Sequence, residues 1–261
     1  MHTNIDMKKS LYIIVIFITS LKLHAQSQSM HEQTINNNCW FMYFGDHKFS
    51  NQLGVHLEVQ VRKNDVIQNP QQLLVRTGLN YHINDQIMAS IGYCFVETYP
   101  YGKFPVPVQF PENRFWEQLQ IKNQYGIFEW ISRFRLEQRF SKVPIINLSS
   151  ADYEPGDAVY TNRFRSLNRV SIPLKGKMIN DKTFYISAYD EFFISYGKNV
   201  AANLFDQNRA YFALGYKIPK IGRLEIGYMY QAILKGDGIK IENNNTLQLG
   251  FISTFNFHKT T

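Results

Sequence analysis

A period of two runs through most of this chain. From Asn51 to Val61, Leu53, Val55, Leu57, Val59 and Val61 alternate with Gln52, Gly54, His56, Glu58 and Gln60. Near the end, Leu247, Leu249, Phe251, Phe255 and Phe257 alternate with Gln248, Gly250, Thr254 and Asn256. Successive side chains of a strand point to opposite faces, so this pattern predicts sheet with one apolar and one polar face. An apolar outside over a polar inside is the repeat of a transmembrane β-barrel.

Eleven segments carry the pattern, at 38–44, 51–61, 72–83, 87–98, 115–125, 128–140, 160–172, 183–196, 207–217, 222–234 and 245–257. Most are longer than the 5 or 6 residues typical of soluble strands. They match the roughly 9–11 residues that cross a bilayer at a tilt, with some overhang. Connections alternate between short turns (84–86, 126–127, 219–222) and long loops (99–114, 141–159, 197–206, 235–244). Short turns on one side and long loops on the other are the habit of outer-membrane barrels. Pro100, Pro105, Pro107, Pro111, Pro155 and Gly156 fall in the long loops, where a ladder need not continue. The first of these loops is the most apolar and is expected over or inside the barrel mouth.

The fold class read from this is all-β: an antiparallel, up-and-down transmembrane barrel of about 12 strands, with 10 as the alternative. Bacterial single-chain barrels have even strand numbers, so an eleventh segment implies a further strand near 32–37 or an incomplete first one. A bulge is expected near Leu167, where the alternation loses phase; Asp190 falls on the apolar face, which a bulge or a position above the hydrocarbon band resolves.

Lys8 and Lys9, the apolar run from Leu11 to Thr19, and Leu23-His24-Ala25 read as a signal peptide over 1–25, cleaved near Ala25. Residues 26–37 read as a polar leader and 38–261 as the barrel. Cleavage leaves about 236 residues and lowers the net charge from +7 to about +5. The destination is the outer membrane of a Gram-negative bacterium, with outer-membrane lipid and the barrel-assembly machinery as partners. The pattern Phe251-x-x-x-Phe255-x-Phe257 looks like an assembly signal. Nucleic acid is not expected, because the cations are spread singly through strands of an exported chain. Cys39 and Cys94 lie on separate strands; a disulfide is permitted in an oxidising compartment, and two free thiols in the wall are the preferred reading.

The mature chain resembles the domain of unknown function 2490 family, outer-membrane β-barrel proteins of Bacteroidetes-type bacteria. The segments that carry it are Trp40, WISRFRLEQRF (130–140), YTNRFR (160–165), YDEFF (189–193) and QNRAYFALGYKI (207–218). The resemblance implies a barrel of the outer membrane and lends no activity.

The strongest chemical signal is a basic wall. Arg133, Arg135 and Arg139 share a face with Glu137, while Phe134 and Leu136 take the other. Arg163 and Arg165 flank Phe164 on the next strand. Arginine facing lipid near the midplane costs about 2–4 kcal/mol, so all five are expected in the lumen. Arg76, Lys122, Arg209 and Arg223 are further inward candidates, and Glu58, Glu117, Glu137, Glu191 and Glu225 their acidic partners. This interior reads first as a structural ion-pair network, then as an anion-attracting pore or ligand cavity. A soluble periplasmic, lipocalin-like binding barrel is the alternative to the membrane reading; such a binder lines its interior with apolar residues.

Chemistry of other kinds leaves no mark. His56 and His82, with Ser90 and Ser187, share the inward face, yet no G-x-S-x-G, H-E-x-x-H or Cys/His ligand spacing occurs. No catalytic residue, metal or cofactor is expected, and the chain is read as a non-enzyme.

Overall fold

A computed structural model describes residues 31–257. The described residues form the barrel. The expected signal peptide and cleavage site lie outside the described residues.

Among the described residues eleven long strands close into one barrel. They are β1 (Glu32–Lys48), β2 (Leu53–Asn64), β3 (Asn69–His82), β4 (Ile87–Thr98), β5 (Phe110–Tyr125), β6 (Phe128–Ser141), β9 (Val159–Pro173), β10 (Phe184–Tyr196), β11 (Phe205–Ile218), β12 (Gly222–Leu234) and β13 (Lys240–Ser253). The remaining two, β7 (Pro144–Ile146) and β8 (Tyr153–Pro155), form a hairpin within the loop between β6 and β9. Each long strand pairs antiparallel with its successor, so the eleventh runs parallel to the first. The count of eleven lies close to the expected twelve, and the difference is at the seam, where β13 closes on β1 as a parallel pair instead of an antiparallel one. Side chains stitch this seam. Asn36 donates to Asn244 at 3.0 Å, and the Tyr43 and Ser253 hydroxyls meet at 2.9 Å.

Segment 32–37 is therefore strand rather than leader. Its neighbours are amides: Asn243 and Asn245 donate to Gln33 and Asn37 at 3.4 and 3.5 Å. A polar strand held by amide pairs shows no apolar alternation, which is why the pattern missed it. At the other end β13 stops at Ser253. Phe255 and Phe257 leave the strand's apolar face, and Phe255 stacks on His47 at 5.3 Å between ring centres.

The inside–outside assignment of the strands follows the alternation. Leu57 and Val59 are each 39% exposed, whereas Glu58 between them is 2% exposed. Ser90, Arg135, Glu137, Glu191 and Gln248 are buried inward; Val75, Leu79, Ile91, Phe134, Phe212 and Leu249 are exposed outward. Leu167 keeps phase, pairing with Arg133 and Glu191 in an unbroken register. The expected bulge is absent there; an inward leucine simply fills space. Asp190 also stays outward without a bulge and accepts from Asn208 at 3.0 Å. The slips occur instead at Phe193/Ile194 and Arg62/Lys63. Glu117 corrects the expectation of an inward carboxylate. It faces outward, where Gln138 donates to it at 3.1 Å.

Two apolar plates break the polar interior. Trp40 packs with Tyr211, Ala213 and Met229, and Trp116 with Leu74, Cys94 and Val96. Gly78 and Gly92 are cross-strand partners, and a Cβ on either would fall within 3 Å of the Trp116 ring. Their missing side chains are what admit the indole. Cys39 and Cys94 are buried free thiols.

Candidate functional site

Among the described residues, polar chemistry concentrates in the interior of the barrel, and its arrangement follows from inward positions on neighbouring strands. Arg135 faces Arg165 across β6 and β9, and Glu137 faces Arg163. Like charges so placed repel, and carboxylates from several strands resolve the conflict. Glu137 is the centre. Arg163 donates to it through Nε and Nη2 at 2.9 and 2.6 Å, Arg165 through Nη1 at 2.8 Å, and Arg76 through Nη2 at 3.0 Å. Arg114 approaches to 3.8 Å. Glu191 takes Arg165 and Arg133, each at 2.8 Å, with Arg209 at 3.6 Å. Glu58 binds Arg76 and Gln60, with His56 at 3.4 Å and Arg135 at 4.0 Å.

Of the sequence-predicted residues, Arg133, Arg135, Arg163, Arg165, Glu58, Glu137 and Glu191 thus meet in one connected knot. Arg139 joins the knot at one remove: it donates to Glu112 at 2.5 and 2.9 Å, and Glu112 also holds Arg114, which approaches Glu137 to 3.8 Å. Glu225 belongs to a different group, with Arg169 and the hydroxyls of Tyr185 at 2.7 Å and Tyr211 at 3.3 Å. A third group joins Arg223 to Glu129 by two bonds, at 2.5 and 2.9 Å, with Lys122 at 3.0 Å.

Several members escaped the sequence reading for definable reasons. Glu112 and Arg114 precede residue 115, where the pattern placed the strand start, inside a proline-rich stretch. Arg62 lies one residue past the expected end of β2. Arg169 is inward once the phase is carried through Leu167. The signal for all four was available in the period-two count, extended across the apparent breaks.

Above the knot, on the long-loop side, sits a cavity of about 300 Å³ lined by Trp40, Arg62, Arg209, Phe104 and Val106 among others. The loop 99–109 enters this mouth. Its Tyr101 hydroxyl donates to Glu242, which also holds Lys235 at 2.5 Å and Asn244 at 2.8 Å. Burial and the adjoining Glu242 carboxylate push the Tyr101 hydroxyl above the ordinary tyrosine range. Lys240 lies over the Phe104 ring at 5.6 Å.

A hydrolase arrangement is not assembled among the described residues. Both His56 nitrogens face carboxylates, Asp46 at 2.8 Å and Glu58 at 3.4 Å. Ser90 is bonded to Asn80, and Ser187 to Ser171. His82 ends β3. Among the described residues no three His, Cys, Asp or Glu side chains are grouped to hold a metal ion.

Fold and site together define a closed β-barrel with a charged, largely filled interior and an apolar exterior. The chain belongs to the family described as Protein of unknown function (DUF2490), whose profile matches residues 37–242. No curated protein and no solved structure matches the chain.

Proposed function

We propose that this chain is an integral barrel of the outer membrane of a Gram-negative bacterium, exported behind a signal peptide cleaved near Ala25. Its lumen is occluded at mid-height and draws small anionic solutes to its long-loop mouth. The observation that carries the membrane placement is the inverted polarity of the wall. Apolar side chains cover the outside while carboxylates and guanidinium groups fill the inside. In water that arrangement exposes the apolar face and buries the polar one; in a bilayer both faces are matched. A lipocalin-like soluble binder requires the reverse.

The occlusion is supported by the knot around Glu137 and by Trp116, which are buried in the barrel interior. Eight-stranded barrels fill their interiors with side chains and sixteen-stranded ones leave a channel. Eleven strands with this many large inward residues fall toward the filled case. The barrel-assembly machinery and outer-membrane lipid are the partners this reading requires, and it assigns no catalytic step.

Membrane fractionation with heat-modifiable gel mobility tests the placement. The expected result is an outer-membrane protein whose folded band shifts on boiling. A soluble, heat-insensitive monomer overturns it. Planar-bilayer recording tests the lumen: small or absent conductance is expected, and any residual current is anion-selective. Large, stable conductance or cation preference overturns the occluded, anion-attracting lumen.

A further inference from the structure

The charge in the mouth cavity does not balance. Eight cationic side chains and three carboxylates line it. Glu137, Glu191 and Glu242, which the same cations touch from just outside the lining, bring the carboxylates to six. The shortfall falls on particular residues. Arg62 is buried at 8% exposure, and no carboxylate among the described residues lies within 4 Å of its guanidinium. Its bonds go to neutral amides: Gln60 at 2.9 and 2.5 Å and Gln72 at 2.5 Å. Among the described carboxylates Arg209 has the outer contact to Glu191 alone, and that group is already shared by Arg133 and Arg165.

These two under-compensated guanidinium groups converge. Arg62 lies 3.9 Å over the Trp40 ring and Arg209 lies 5.2 Å over the same ring. Two like charges held against one indole repel, and a buried cation without a counter-ion is costly. An oxyanion placed between them removes both costs, because guanidinium groups match carboxylate and phosphate oxygens by paired hydrogen bonds. The cavity also has an apolar side. Trp40, Phe104, Val106 and Phe110 line it, which suits an organic body better than a bare inorganic ion. Its volume of about 300 Å³ lies at the small end of ligand pockets.

We infer that the cavity beneath the loop 99–109 is a binding site for a small organic carboxylate. The anionic head sits at Arg62 and Arg209, which cover the buried Trp40, and the apolar body lies against Phe104 and Val106 of the loop. The inference deepens the proposed attraction of anions to the mouth and rests on it. It names the site, the residues and the ligand class.

The test is calorimetric titration of the full-length mature protein in detergent micelles with benzoate, benzamide and inorganic phosphate. Benzoate binding is expected, weakened by added salt; benzamide, its neutral isostere, does not bind. Arg62→Gln and Arg209→Gln each lower benzoate affinity at least tenfold. Lys175→Gln, exposed in the turn after β9 at the opposite end of the barrel, leaves it unchanged. Heat-modifiability measured on every sample shows that each variant is a folded barrel. Where Arg62→Gln fails to fold, Arg209→Gln and Trp40→Phe carry the comparison. Absence of benzoate binding by a folded barrel overturns the site while leaving the outer-membrane reading intact. Benzoate bound equally by wild type and Arg62→Gln overturns the assignment to this cavity. Phosphate bound in preference to benzoate overturns the organic-acid class. A soluble protein that binds benzoate through Arg62 upholds the site and overturns the membrane reading instead.

Discussion

Glu137 is 1% exposed and accepts hydrogen bonds from three arginines. Neutralising it leaves Arg163, Arg165 and Arg76 buried with one shared counter-charge fewer. Breaking a buried pair of this kind costs on the order of 3–5 kcal/mol. Glu117, on the outer wall, meets the Gln138 amide at 3.1 Å, and an exposed hydrogen bond contributes about 1 kcal/mol or less. Urea unfolding followed by the heat-modifiable band should therefore show a large fall in midpoint for Glu137→Gln and a small one for Glu117→Gln. Equal midpoints would show that the knot contributes no more than a surface contact. The sequence placed Glu137 on an inward face among arginines; it could not say that Glu137, rather than Glu58 or Glu225, is where the most guanidinium groups meet.

Among the elements, β6 sets an aromatic ring and a guanidinium group on opposite faces at adjacent positions. Phe134 points outward, its ring 6.5 Å from that of Phe164, while Arg135 points inward and bonds Gln118 at 3.0 and 2.6 Å. Arg135 is itself surrounded by Arg76, Arg133 and Arg165, and its closest carboxylate is at 4.0 Å. Removing its charge relieves repulsion as well as losing bonds, so Arg135→Gln is expected to cost little. Phe134→Arg places a cation on the outer wall near mid-strand, at about 2–4 kcal/mol if that wall meets lipid. Refolding into lipid vesicles should give less heat-modifiable barrel for Phe134→Arg than for Arg135→Gln. The opposite order would reverse the faces of β6 and with them the membrane reading. β1 teaches the complementary lesson: its first residues pair through Asn and Gln side chains, and a strand without apolar alternation is invisible to a period-two count.

For the molecule as a whole, the mouth is where the barrel is least uniform. The loop 99–109 is held there by the Tyr101–Glu242 hydrogen bond, with Gly102 beside it in the left-handed region at φ 68°. The Tyr101 hydroxyl is raised above its ordinary value near 10. A raised pKa means the folded mouth favours the protonated phenol. The stabilisation is thus complete below about pH 10 and is lost as pH rises beyond it. Limited proteolysis across this range should show the loop becoming cleavable above pH 10 in the wild type. Tyr101→Phe, which lacks the titrating group, should show no such step. A wild-type loop equally resistant on both sides of pH 10 would remove Tyr101 as its anchor.

The sequence by itself determined where the strands run, short of several ends such as 32–37 and 110–114, most of their inward and outward faces, Glu117 excepted, and the arginine-rich character of the lumen. All three are local: a period of two fixes which way a side chain points, whatever lies across the barrel. The tertiary structure alone decided which carboxylate each arginine meets, because lateral strand order and closure bring β2, β5, β6, β9 and β10 to one interior. Closure likewise set the count among the described residues at eleven with a parallel seam, and left Arg62 beside Trp40 with no described carboxylate within 4 Å. Those outcomes depend on groups far apart in the chain, and no local periodicity records them.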